Sequence, residues 1–274
     1  MSALSIGKAW DEAKASLQAH RKLIVPVALG MVLLPAVIVS MVEPQVPAGQ
    51  EPPPGPWMLV ALAMLIVMMA GQIAIVLLVN GWKGSVGEAI KQSSRRVPTL
   101  ILAALAVSVP VILLFSAVLA ITAIDSLESG QFDWTSISGT GWLMLAVCFL
   151  LLLYVAVRLL PLVAVAACET TGPIATLKRC FALTSGHFWQ LLGFIVMLMI
   201  GFLIVAMVVG IVVGGMVTLA FGQPESWSIS LLLIALAGGL VQAGFVLVYT
   251  GMLARIYAQL SAGQPSVPEV RHNG

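Results

Sequence analysis

The side chains that could perform chemistry are few in this chain, and they lie far apart. None of its three histidines, His20, His187 and His272, is followed by a second potential ligand three or four residues later, and no Cys-x-x-Cys pair occurs. Metal and redox sites with a sequence signature depend on such close spacing. The sequence therefore predicts no metal site, no cofactor and no catalytic residue, and we interpret the protein as non-enzymatic.

Arg158 is the most informative ionisable residue, because it lies inside an apolar stretch, toward its end. A guanidinium inside a membrane is normally paired or turned toward water. Glu169 is its predicted ion-pair partner, since Pro161 and the following Gly172-Pro173 could fold the chain back. Two alternatives stay open: Arg158 reaches lipid phosphates at the interface, or it binds an anionic substrate. The full set of predicted contacts for anions or lipid headgroups is Arg158, Lys178, Arg179 and Arg255.

Composition identifies the class of protein that carries these residues, since 60% of the chain is hydrophobic and only 9% is charged. So few polar groups could not cover the surface of a water-soluble globule of this size. Crossing a hydrocarbon core takes about 20 helical residues, and six apolar stretches reach that length. The predicted spans are Leu23–Val42, Trp57–Gly81, Val97–Ile124, Trp142–Ala167, Phe188–Phe221 and Ile229–Ala254.

Basic residues are confined to one side of these predicted spans. Those outside the spans precede the first, follow the second or fourth, or lie at and beyond the end of the sixth. Because Lys and Arg near span ends mark the cytoplasmic side, we predict that both termini are cytoplasmic. The opposite loops carry no basic residue and hold Glu43, Glu51, Asp125, Glu128, Asp133 and Glu225.

Three similar segments precede alternate spans and indicate an internal repeat. They begin with SIGKAW (Ser5–Trp10), SVGEAI (Ser85–Ile90) and GPIATL (Gly172–Leu177). Two spans per unit return the chain to its starting side, so the units are predicted to be parallel. The predicted fold is all-α: one six-span membrane domain over 1–262, built from repeats 5–84, 85–171 and 172–262, with a cytoplasmic tail at 263–274.

Each of these segments is too polar to span a membrane, and each has an apolar helical face. In the third, Ile174, Leu177 and Phe181 form the predicted apolar stripe, while Lys178 and Arg179 face water or headgroups. We therefore expect three amphipathic helices in the plane of the cytoplasmic leaflet. The alternative is three solvated connector helices that pack on the bundle.

Small residues indicate where helices could approach closely. The fifth span contains Gly210-x-x-x-Gly214, and the sixth contains Gly238-Gly239. These glycines are predicted to form contact faces between the last two spans or between protomers.

A family resemblance follows from RLLPLVAVAACETTGPIATLKRCFALTSGHFWQLLG (Arg158–Gly193) together with SVGEAIKQSSRRVPTLILAAL. An arginine near the end of a span, a Glu-x-x-Gly-Pro motif and an amphipathic Leu-Lys-Arg helix resemble the membrane domain associated with bacterial glycerophosphoryl diester phosphodiesterases. The resemblance implies a six-span, lipid-associated bundle in the bacterial inner membrane, here without the soluble catalytic domain.

Two functions are consistent with these features. The first is a non-enzymatic inner-membrane protein that binds or organises anionic lipids or acts as a scaffold. Its protein partner would be another membrane protein or a second copy of the chain. The second is a transporter or channel for a small anionic or lipid-like solute. A continuous polar lining would favour transport, whereas no predicted span has a polar face along its full length. No nucleic-acid partner is expected.

Overall fold

The structure, a computed structural model, describes residues 5–46, 52–122, 138–169 and 171–262, and every regular element within them is helical. The predicted outer-loop carboxylates Glu51, Asp125, Glu128 and Asp133 and the tail at 263–274 lie outside the described residues. The helices are α1 (Ile6–Ala19), α2 (Arg21–Ala28), a π-helical turn (Leu29–Leu33), α3 (Leu34–Val42), α4 (Trp57–Val79), α5 (Val86–Thr122), α6 (Gly139–Arg158), α7 (Leu162–Cys168), α8 (Pro173–Leu183), α9 (Phe188–Phe221) and α10 (Ile229–Ala262).

Within the described residues, six helical segments are long and apolar enough to cross a membrane, which is the predicted number. Each observed span overlaps its predicted counterpart, and most differ only at their ends. The first span combines α2, the π turn and α3, and the fourth combines α6 and α7. The observed spans are Arg21–Val42, Trp57–Val79, Val86–Thr122, Gly139–Cys168, Phe188–Phe221 and Ile229–Ser261.

The six spans form a closed arrangement in which each contacts the next along the chain and the sixth returns to the first. The sixth span also contacts the second. These two spans and the first hold most of the buried residues. Spans three to five present long apolar surfaces outward, as expected for helices whose solvent is lipid. The units are thus unequally buried, and the predicted threefold repeat stays a prediction.

The first span is interrupted by the π turn just before Pro35. Proline has no backbone N–H, so it cannot bond to the carbonyl of Met31, and a local change of helical winding is a common accommodation. The second span approaches the turn closely at Gly71, where an added Cβ would lie 2.7 Å from the Cβ of Met31. Only glycine fits at this contact without a shift of the backbone.

The second amphipathic segment is not a separate helix, which corrects the prediction of three interfacial helices. It forms the first turns of α5, which continues without a break through Pro98. A straight helix of 37 residues is about 55 Å long at 1.5 Å per residue, whereas the hydrocarbon core is about 30 Å thick. The polar end of α5 is therefore an extension of the third span, while α1 and α8 are separate helices.

Candidate functional site

Glu169 lies where α7 ends, and it joins three elements. Its Oε1 accepts a hydrogen bond from Arg179 Nε of α8 at 3.1 Å and another from the Tyr257 hydroxyl of α10 at 2.9 Å. The Arg179 and Glu169 side chains are only 16% and 18% exposed, so the ion pair is largely removed from water. The carboxylate therefore connects the ends of the fourth and sixth spans to α8.

The observed partner of Glu169 corrects the sequence prediction, which paired it with Arg158. The helical period explains the choice: Arg179 lies about 60° from the centre of the face formed by Thr176, Cys180 and Leu183, and that face is buried against the bundle. This position turns Arg179 toward the protein interior. The prediction that Arg179 faces water or headgroups is therefore also wrong.

Arg158 instead binds groups on its own helix and at the end of α8. Its Nε and Nη2 donate to the Tyr154 hydroxyl at 3.1 and 2.8 Å, and the guanidinium carbon lies 5.0 Å from the Tyr154 ring centroid. Its Nη1 donates to the carbonyl oxygen of Phe181 at 3.3 Å and to Thr184 Oγ1 at 3.4 Å. A cation at the carboxyl end of a helix complements the helix dipole. Arg158 remains half-buried beside α8, and its contact with lipid phosphate stays a prediction.

Arg96 holds the carboxyl end of α7, a role that the sequence analysis did not predict. Its Nη1 donates to the carbonyl oxygens of Ala166 (3.1 Å), Ala167 and Glu169 (3.4 Å). These carbonyls have no partner within the helix, so a guanidinium satisfies them. About seventy residues separate Arg96 from α7 in the sequence, and no spacing rule links positions so far apart.

Arg255 is also engaged by the protein. Its Nη2 donates to the carbonyl oxygen of Val79 at 2.8 Å, at the end of α4, and to Ser16 Oγ of α1. These bonds tie α1 and the second span to the sixth. The geometry gives Arg255 a structural role, and its contact with an anion or headgroup stays a prediction.

Two cysteines near this cluster differ in exposure. Cys180 is fully buried on α8, and burial, with a smaller contribution from Glu169, raises the pKa of its thiol to about 12. Cys168 is exposed at the end of α7, and its sulfur accepts a hydrogen bond from Asn80 Nδ2 at 3.5 Å. Among the described residues, no three His, Cys, Asp or Glu side chains are grouped so as to hold a metal ion.

The helix α8 has two opposite faces, one buried and one exposed. Thr176, Cys180 and Leu183 are buried, each spaced by three or four residues. A second row at the same spacing, Ile174, Lys178 and Phe181, is exposed, and we call it the outer stripe of α8. Corresponding members of the two rows are two residues apart, which is about 200° around a helix.

The outer stripe of α8 combines apolar and cationic groups. Ile174 is 67% exposed and Phe181 is 36% exposed, with Lys178 between them. Trp189, at the start of the fifth span, is 79% exposed, and its position agrees with an aromatic ring at a membrane interface. Leu177, predicted to belong to the apolar stripe, is only half-exposed beside it.

Gly210, Gly214 and Gly238 make no close contact between the last two spans in the described residues, which corrects that half of the prediction, while a contact between protomers stays a prediction. A Cβ added at Gly210, Gly214 or Gly238 would meet no atom of the described residues within 4 Å. All three line a cavity of about 620 Å³ between the first, second, fifth and sixth spans. Gly239 packs against Leu33 of the first span, with 3.4 Å from its added Cβ to Leu33 Cγ. The fifth and sixth spans instead meet through aromatic contacts such as Phe202 with Phe245, at 4.5 Å between centroids.

The cavity is almost entirely apolar. Ser40 and Gln242 are its polar lining residues, and the remainder are aliphatic side chains, glycines, one methionine and one phenylalanine. It lies at the ends of the spans opposite to α1 and α8, because its lining comes from the end of the first span and the start of the sixth. Its chemistry suits hydrocarbon and offers no charge to a small anion.

The described chain thus combines a buried cluster of charged residues that fixes α8 with an exposed outer stripe of mixed character. No protein-family model, curated protein or solved structure matches the chain. The six apolar helices of the described residues are compatible with a multi-pass integral membrane protein.

Proposed function

We propose that this chain is a non-enzymatic protein of the bacterial inner membrane, with both termini cytoplasmic, that associates with anionic lipids and organises them or other membrane proteins. The observation that carries this proposal is the outer stripe of α8. One face of this short helix is packed on the bundle while its opposite face exposes isoleucine, lysine and phenylalanine in a row. As part of the same proposal, we suggest that the chain is related to the membrane domain associated with bacterial glycerophosphoryl diester phosphodiesterases.

The exposed apolar side chains of α8 would be unfavourable in water and favourable at a lipid surface. Burying Ile174 and Phe181 among acyl chains contributes about 25 cal/mol for each Å² of apolar area. A basic side chain such as Lys178 near anionic headgroups contributes about 1 kcal/mol. A helix with both kinds of group on one face binds best at the boundary between headgroups and acyl chains.

The distribution of cations supports a structural over a transport role. Arg96, Arg179 and Arg255 bind carbonyl, hydroxyl or carboxylate groups of neighbouring helices. A pathway for anions would need cations that line an aqueous route. The buried residues around the second and sixth spans are overwhelmingly aliphatic, which favours a lipid-organising protein.

The alternative function is transport, and the apolar cavity favours it only for a lipid-like solute. A hydrocarbon chain suits the lining of that cavity better than a small anion does. If the protein moves a solute, the solute is therefore lipid-like. Accumulation of fluorescent lipid in the opposite leaflet of proteoliposomes, faster than in empty liposomes, would favour transport over the static role.

The proposed lipid association is tested on the full-length protein by native mass spectrometry. Phosphatidylglycerol and phosphatidylcholine with identical chains are added to the wild type and to the Lys178→Gln/Phe181→Ser variant. We expect the wild type to prefer phosphatidylglycerol and the variant to lose that preference in part. The matched control is Lys83→Gln, which removes another exposed cation near the same ends of the spans. Equal retention of the two lipids by the wild type would overturn the proposal.

A further inference from the structure

A second surface, far from α8 in sequence, combines apolar and cationic side chains. A groove of about 340 Å³ lies between α1 and the sixth span. Its apolar lining comes from α1 and from Val248 and Met252 of the sixth span. The volume falls within the range of about 300–1,000 Å³ that is typical of sites for small molecules.

The polar lining of the groove is positively charged. It consists of Lys14, Gln18 and Arg21, all three exposed. Neither Lys14 nor Arg21 forms an ion pair with a carboxylate among the described residues, where Lys8 pairs with Glu12 and Arg179 with Glu169. Two cations without a carboxylate beside an apolar groove suit an occupant with an anionic group and an apolar chain.

The composition of the groove walls agrees with a position at the lipid boundary. Trp10 is 48% exposed and borders the groove on α1. Amphipathic indole rings concentrate where headgroups meet acyl chains. Leu23, two residues beyond Arg21, is 44% exposed and begins the apolar outward surface of the first span. Lys14 and Arg21 therefore lie at the polar edge of an otherwise apolar surface.

We propose that this groove binds one anionic phospholipid, with its phosphate held by Lys14 and Arg21 and an acyl chain against Leu17, Val248 and Met252. The lipid belongs to the leaflet that α1 contacts. This inference rests on the proposed association with lipid, but it concerns a surface distinct from the outer stripe of α8. Lys and Arg can reach a phosphate while their aliphatic stems stay in the apolar groove.

The test is a titration of the full-length protein, in detergent, with phosphatidylglycerol or phosphatidylcholine of identical chains, followed by native mass spectrometry. The Lys14→Gln/Arg21→Gln variant is expected to bind its tightest phosphatidylglycerol about thirtyfold more weakly than the wild type, from the contribution of two basic residues near a headgroup. The matched control, Lys83→Gln/Lys91→Gln, removes two exposed cations outside the groove and is expected to keep wild-type affinity.

A third variant tests the apolar half of the site. Val248→Phe fills the groove without changing its charge, and it is expected to weaken the same lipid. Equal phosphatidylglycerol affinity in wild type and Lys14→Gln/Arg21→Gln, or no effect of Val248→Phe, overturns the assignment. If the groove variants lose a dimer of the protein and not a bound lipid, the groove binds a second copy of the chain, and the lipid assignment is also overturned.

The two lipid proposals fail separately in this titration. If Lys178→Gln/Phe181→Ser weakens lipid binding while Lys14→Gln/Arg21→Gln does not, the groove assignment is wrong and the role of α8 is supported. The reverse result would assign anionic lipid to the groove and remove the argument based on α8.

Discussion

Arg179 Nε lies 3.1 Å from Glu169 Oε1, and this pair links α8 to the end of α7 across the Gly172-Pro173 turn. Tyr257 donates to the same carboxylate oxygen from the sixth span. One carboxylate therefore fixes the position of α8 against two spans. The outer stripe of α8 can face away from the bundle because the opposite side of the helix is held by this cluster.

The first prediction concerns the coupling between Arg179 and Glu169. Changing either residue to Gln leaves the other charge partly buried without its partner, at a cost of about 1–3 kcal/mol in the free energy of unfolding. The double variant is expected to lose less than the sum of the two single variants, by about 1 kcal/mol. Denaturation of the purified protein in mixed detergent micelles measures all three free energies.

A control for this cycle comes from Arg158. Arg158→Gln removes the bonds to Tyr154 and to the end of α8, but none to the Glu169 carboxylate. Its effect should therefore add to that of Glu169→Gln, within about 0.5 kcal/mol. Strong coupling of Arg158 with Glu169, and none of Arg179 with Glu169, would contradict the observed pairing.

The number and approximate positions of the spans could be predicted because hydropathy is a property of each stretch by itself. Phe188–Phe221 has the same bounds in the prediction and in the structure. The start of the third helix could not be predicted in this way. Hydropathy detects the apolar stretch that begins at Val97, but it does not detect the polar turns of helix that precede it. Helix propensity continues back to Val86 through residues that are polar but compatible with a helix.

The partners of the charged residues could not be predicted in the same way. Arg158 and Arg179 are both close enough in sequence to reach Glu169, and only the packing of α8 decides between them. The glycines show a related limit: Gly71 makes the closest backbone contact, yet it belongs to no Gly-x-x-x-Gly motif. Gly210 and Gly214 do form that motif and line a cavity instead, since short motifs of small residues also occur where no helix packs.

The second prediction separates these two kinds of glycine. Gly71→Ala would place a Cβ 2.7 Å from Met31 Cβ and 3.3 Å from the Met31 carbonyl oxygen. We expect a loss of about 1–3 kcal/mol in the free energy of unfolding, because the first and second spans must move apart. Gly210→Ala and Gly238→Ala meet no neighbour, so both should be neutral or slightly stabilising. Similar losses in all three variants would contradict the geometry.

The third prediction concerns the reactivity of the cysteines. Maleimide added to the protein in detergent should label the exposed Cys168 and leave Cys180 unmodified. Burial raises the pKa of Cys180 to about 12. Even at a pH of about 9, Cys180 is therefore a thiolate in only about one molecule in a thousand. Burial also blocks access of the reagent. Peptide mass spectrometry measures both sites, and denatured protein, in which both react, is the control.

The fourth prediction concerns orientation in the membrane. In a variant whose three cysteines are replaced by alanine, Gln223→Cys and Ser94→Cys introduce single thiols at exposed positions near opposite ends of the spans. The distribution of basic residues predicts that an impermeant maleimide added outside spheroplasts labels Gln223→Cys and spares Ser94→Cys. The opposite pattern would reverse the proposed topology.

The last prediction compares the two faces of α8. Leu183 is 2% exposed and belongs to the face that packs on the bundle. Leu183→Ser should lower the free energy of unfolding by about 2–4 kcal/mol, because it removes buried apolar volume and introduces a hydroxyl. Ile174→Ser/Phe181→Ser changes two residues of the outer stripe, and in detergent it should alter that free energy by less than about 0.5 kcal/mol.

The effects of the same two variants on lipid retention should be the reverse of their effects on stability. A folded protein with Ile174→Ser/Phe181→Ser has lost the apolar groups of its outer stripe, so it should retain less phosphatidylglycerol through purification, and added salt should release more of the remainder. Leu183→Ser, assayed at a temperature at which it stays folded, keeps the stripe and should retain lipid as the wild type does. If Ile174→Ser/Phe181→Ser unfolds the protein instead, the stripe is covered by protein and α8 is a packed connector.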